Sequence, residues 1–103
     1  MIHVEAIQRK HLQHKLHIIN SLSGKHKLLA DAKRIEIYMQ VGGTAPTDYT
    51  TMGRSVGDAK RSVFVSNFVA ANLNAIVYYV AVCISKTTGL VIAQSPVAIA
   101  TVN

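Results

Sequence analysis

The stretch Ala75 to Ser85, AIVYYVAVCIS, limits the folding of this chain more than any other segment. Its residues alternate with a period of two: Ile76, Tyr78, Val80, Val82 and Ile84 share one face, and Val77, Tyr79, Ala81 and Cys83 share the other. Both faces are apolar, so the strand must be covered on both sides, which places it centrally in its sheet. The apolar run from Ala75 to Ile84 covers ten residues, half of the ~20 that a membrane-spanning helix needs, so no membrane span is expected. Cys83 lies in this run and reads as a structural thiol that burial would leave unreactive.

Further strands follow from the same periodicity. In Arg34 to Val41, Ile35, Ile37, Met39 and Val41 alternate with Arg34, Glu36, Tyr38 and Gln40, the pattern of a strand with one wet face. Gly42-Gly43 ends it, and Thr44 to Asp48 is a loop. Val63-Phe64-Val65 reads as a strand with Phe68 near its end, and Lys86-Thr87-Thr88-Gly89 as a turn. Leu90 to Ala93 reads as a short returning strand and Val97 to Val102 as the last one, with Pro96 suiting a sheet edge.

The N-terminal part is less decided. A helix over residues 5–19 would line up Leu12, Leu16 and Ile19, whereas a strand would set Leu12, His14, Leu16 and Ile18 against Gln13, Lys15 and His17. The turn-like Asn20 to Gly24, before a second short strand at His26 to Leu29, favours the strand. About six to seven short strands and no firm helix give an all-β chain, read as a single antiparallel β-sandwich over 1–103 with a basic segment at 1–33.

Residues 34–102 resemble a fibronectin type III-like domain, one of the immunoglobulin-like sandwiches. The likeness is carried by RIEIYMQVGGTAPTD (Arg34 to Asp48) and VYYVAVCISKTTGLVIAQSPVAIATV (Val77 to Val102). Tyr78, Val80 and Val82 match the Tyr-x-Val-x-Val pattern of a central strand, Thr88-Gly89 the hairpin turn, and Ser95-Pro96 the stop before the last strand. The resemblance implies that Tyr78 tethers the preceding corner, with Leu73 beneath it. The chain departs from the family pattern in having no Trp.

Charge is unevenly spread. Of eleven Lys and Arg against five acids, ten cations and every acid lie at or before Arg61, and Lys86 is the only later charge. Arg9, Lys10, Lys15, Lys25, Lys27, Lys33 and Arg34 are therefore the candidates for a polyanion contact. His11, His14 and His17 are spaced three apart, a spacing that converges on neither a helix nor a strand, so no metal is expected. The acids are isolated from one another and from His, and no phosphate-binding glycine loop or nucleophile elbow occurs. The sequence thus predicts no enzyme and no cofactor.

The expected function is a non-catalytic protein-interaction or scaffolding module that uses loops or a strand edge. The candidate loops are Gly42 to Asp48 and Gly53 to Lys60, with Gly42, Gly43, Thr44, Pro46, Asp48 and Arg54 as contact residues. A homodimer through a strand edge is one form of it. The alternative is a small basic nucleic-acid-binding protein acting through the N-terminal Lys, Arg and His. The first residues, MIHVEAIQRKHLQHKLHIINS, lack the apolar core of a secretory signal. The expected location is cytoplasmic, or extracellular for a module cut from a larger protein.

Overall fold

The computed structural model describes residues 2–20, 32–47, 49–52, 55–59, 63–85 and 87–103. Eight strands follow one another: β1 (Ile2–Lys10), β2 (Gln13–Asn20), β3 (Ala32–Val41), β4 (Ser55–Ala59), β5 (Val63–Asn67), β6 (Ile76–Ser85), β7 (Val91–Gln94) and β8 (Ala98–Thr101). Short 3-10 turns occur at Tyr49–Thr51 and Ala70–Asn72. The strands form two antiparallel sheets, β1-β2-β5 and β4-β3-β6-β7, and β8 also pairs with β6.

The two sheets pack face to face in a sandwich-like arrangement. Ile2, Val4, Leu16 and Ile18 from one sheet meet Ile35, Ile37, Val77, Tyr79, Ala81 and Cys83 from the other, and Val102 joins them. Each set sits at alternate positions of its strand, which is how a pleated chain delivers side chains to one side.

β6 is central, as its two apolar faces require. Its outward residues Tyr78, Val80, Val82 and Ile84 are buried as well, in a second cluster with Met52. Tyr38, Tyr49 and Val97 pack around that cluster, so the chain between β3 and β4 folds back over the sheet.

The helical alternative for residues 5–19 is overturned: β1 and β2 form a hairpin running from the Ile2–Asn20 pair to the Lys10–Gln13 pair. Burial follows period two there, with His14, Leu16 and Ile18 inside, and pairing with β5 completes the strand environment. The expected strand at His26 to Leu29 lies outside the described residues.

Gly53 to Lys60 does not form a loop throughout, because Ser55–Ala59 is the edge strand β4, paired with β3. Its polar sequence hides it from any periodicity. The single Ser55 Oγ proton is within hydrogen-bond reach of the carbonyls of Ile37 (3.1 Å) and Gly57 (3.0 Å), at the point where the register with β3 shifts. A Cβ on Gly57 would lie 2.8 Å from Phe64 Cε2, so the missing side chain is what lets this ring reach the β4 backbone.

β7 and β8 occupy one edge of β6 in two pieces. Pro96 has no N–H to offer the ladder, and Ser95 bridges the break: its N–H donates to Ala81 O (2.8 Å), and its hydroxyl accepts from Ala81 N–H (2.9 Å).

Candidate interaction surfaces

The described residues enclose no pocket, so what they offer a partner is surface. The loop after β3 is the best-built part of it. Gly42 and Gly43 both have positive φ (69° and 77°), the conformation that glycine adopts without a Cβ clash. The Gln40 amide Nε2 donates to Gly42 O (2.9 Å) and to Thr44 O (2.7 Å), and Gly42 N–H donates to Ile76 O (2.6 Å). Gly43, Thr44, Ala45 and Thr47 are exposed and Pro46 is half-buried. Four of the expected contact residues, Gly42, Gly43, Thr44 and Pro46, thus share one loop held in a defined shape. Asp48 and Arg54 lie outside the described residues.

Past this loop, Tyr49 and Met52 turn onto the outer face of β6, with the rings of Tyr38 and Tyr49 5.1 Å apart. Beside them Arg34 forms an ion pair with Glu36 (3.1 Å), whose other oxygen accepts from the Tyr38 hydroxyl at 3.4 Å. Burial, then the neighbouring Glu36 carboxylate, push the Tyr38 phenol up.

The described basic residues do not gather on one face. Lys15 alternates with buried His14 and Leu16 and so faces out of the β1-β2-β5 sheet, and Lys10 ends β1. Arg34 stands across from Ile84 on the outer face of the other sheet, engaged with Glu36. Arg9 and Lys33 lie in β1 and β3. Lys25 and Lys27 fall outside the described residues. The histidines also diverge: His11 is in the exposed β1–β2 turn, His14 in the core, and His17 on the outer face of β2. Among the described residues no group of three or more His, Cys, Asp and Glu is placed to hold a metal.

Within the core, Tyr79 is the tyrosine with a tethered hydroxyl. Tyr78, which the resemblance expects to tether the preceding corner, points to the outer face with Val80 and Met52, and Leu73 is 46% exposed. Tyr79 faces inward because the alternation of β6 puts odd positions there. His14 Nε2 sits 2.8 Å from Thr101 O, an acceptor only, so this nitrogen carries the proton. Nδ1 then accepts from the Tyr79 hydroxyl at 2.7 Å. The edge of the Phe68 ring pair closes over His14 at 5.0 Å. Burial pushes the Tyr79 phenol up to about 12, against a smaller opposing effect of a hydrogen bond from Ser66. The alternation of β2 already aligned His14 with Leu16 and Ile18, the signal that such a cross-sheet bond was available.

A third surface is the edge of β7 and β8. Leu90, Val91, Ile92 and Ile99 are exposed there, and no charge occurs from Thr87 to Asn103. No described helix is long and apolar enough to cross a membrane. A scan against protein-family models finds no match, and neither do searches of the curated proteins and of the solved structures.

Proposed function

We propose that the protein is a non-catalytic interaction module on a fibronectin type III-like scaffold, and that it meets a protein partner through the Gly42–Thr47 loop. The observation that carries this reading is the loop's combination of exposure and restraint: Gln40 bridges two of its carbonyls while its tip stays in solvent. A loop already fixed in shape loses little conformational entropy on binding. The strand edge of β7 and β8 is the less favoured surface, because the break at Ser95 to Val97 divides it into runs of four residues.

The strand order supports the family reading. In a constant-type immunoglobulin domain the fourth strand lies in the sheet of the first, second and fifth. Here β4 pairs with β3 in the other sheet, which favours the fibronectin type III-like relative.

Affinity capture from the native host tests the proposal with three variants. Gln40→Ala, which frees the loop, and Thr44→Arg, which alters its tip, should each lower capture of the partner by about tenfold. Ile92→Lys should leave capture unchanged. Loss with Ile92→Lys alone would move the site to the strand edge, and light scattering would then show whether the partner is a second copy. Capture that disappears with added salt and is competed by polyanions would replace the proposal with nucleic-acid binding.

A further inference from the structure

We infer that Val102 and Asn103 form a latch that holds two strained turns at one end of the molecule and ties their opening together. Among the described residues, the non-glycine positions with positive φ are Leu12 (59°) and Asn74 (71°). They belong to different connections, β1–β2 and β5–β6, yet each donates its N–H to this tail. Leu12 N–H reaches Asn103 O at 2.7 Å, and Asn74 N–H reaches Val102 O at 2.8 Å. A left-handed conformation is unfavourable for an L-residue with a Cβ, less so for Asn than for a bulky residue such as Leu, so at Leu12 above all it persists only where its surroundings hold it. Here two adjacent residues do the holding, Asn103 at Leu12 and Val102 at Asn74.

The tail is itself well fixed. The Val102 side chain is fully buried, its N–H donates to Ala75 O (2.9 Å), and Gln8 grips Asn103 with both ends of its amide: Nε2 donates to Asn103 O (3.0 Å) and Oε1 accepts Asn103 N–H (3.3 Å). From there the bonds continue outward. Leu12 O accepts from Phe68 N–H (2.8 Å), and Ile76 O, next to Ala75, accepts from Gly42 N–H (2.6 Å). Release of the tail would let Leu12 and Asn74 relax to ordinary φ, and each relaxation would displace a carbonyl or a neighbouring residue on which another segment depends. The β1–β2 turn, the β5–β6 connection and the base of the Gly42 loop would loosen as one unit.

Amide hydrogen exchange on a chain ending at Thr101 tests the latch, because β8 and the His14–Thr101 bond remain. The informative amides are those of Phe68 and Gly42, which make no bond to the tail. Their exchange should speed up by about tenfold or more, while amides between β3 and β6 stay protected. Unchanged exchange at Phe68 and Gly42 would overturn the inference. If the shortened chain does not fold, Gln8→Leu in the intact chain removes the side-chain grip on Asn103, and the same two amides should respond. A second readout concerns strain: Asn74→Gly should raise the folding equilibrium constant more in the intact chain than in one ending at Thr101, where no strain is left to relieve. Equal gains in both would mean that the tail holds no strain. None of these measurements uses a partner, so the latch stands or falls apart from the binding proposal.

Discussion

β6 buries both of its faces, and the two covers differ in kind. Its inner residues Val77, Tyr79, Ala81 and Cys83 pack against side chains from the opposite sheet, with a buried hydrogen bond from Tyr79 to His14 among them. Its outer residues Tyr78, Val80, Val82 and Ile84 are covered by Met52 and flanked by Tyr49, on a connection between strands. A sheet is a stiff cover, fixed by ladders along its whole length, whereas a connection can settle when a side chain is cut back. The same apolar alternation in sequence therefore produces one face that tolerates little change and one that adapts.

Truncating the inner face should have the largest effect. Tyr79→Ala is expected to cost about 3–5 kcal/mol by denaturant unfolding, because the opposite sheet cannot follow the lost ring. Met52→Ala should cost about 2 kcal/mol, the low end for such a change, since the 3-10 turn can close over the gap. A cost equal to that of Tyr79→Ala would break the comparison. Tyr79→Phe keeps the ring but leaves His14 Nδ1 without its donor and should cost about 1–3 kcal/mol. Gly57→Ala should fall in a similar range of about 1–3 kcal/mol, since the new methyl must displace the Phe64 ring.

A smaller effect follows from pH. The folded-state pKa of Tyr79 is raised from its ordinary 10.0 to about 12 by burial, so the unfolded chain ionises first. The stability tied to its neutral form is complete below pH 10.0 and is lost as pH rises toward about 12. Unfolding midpoints measured across that window should fall less in Tyr79→Phe than in the unaltered protein. The smallest expected signal is chemical. Burial also raises the Cys83 thiol, so an aromatic disulfide reagent should label it only after denaturant is added, and rapid labelling of the native protein would show that the inner face opens readily.

What the sequence made legible was set by side-chain alternation. β3 and β6 were readable because each has apolar residues at every second position, and the placement of β6 in the sheet's interior followed from its second apolar face. β4 was not, since Ser55, Gly57 and Asp58 give no apolar rhythm; its pairing depends on Ser55 reaching Ile37 O and on the absent side chain of Gly57, both tertiary effects. The N-terminal hairpin was half readable. Leu16 and Ile18 showed the period, but short apolar runs fit a helix nearly as well until β5 supplies a pairing partner.

At the site, Gly42 and Gly43 marked the end of β3, yet the grip of Gln40 on the loop could not be seen in a strand residue that merely alternates outward. Which of Tyr78 and Tyr79 faces the core was illegible for a related reason. Adjacent tyrosines occupy opposite faces, and only the position of the second sheet decides which one is inside.

The interruption at Ser95 and Pro96 bears on how the protein behaves in crowded solution. An uncharged strand edge with exposed Leu90, Val91, Ile92 and Ile99 is the kind of surface on which fibrils nucleate. Because β7 and β8 are each four residues long and separated by a proline, a growing stack finds no six-residue segment to template. Replacing Pro96 would join the two runs, and the resulting chain should show earlier thioflavin-positive assembly than the natural one.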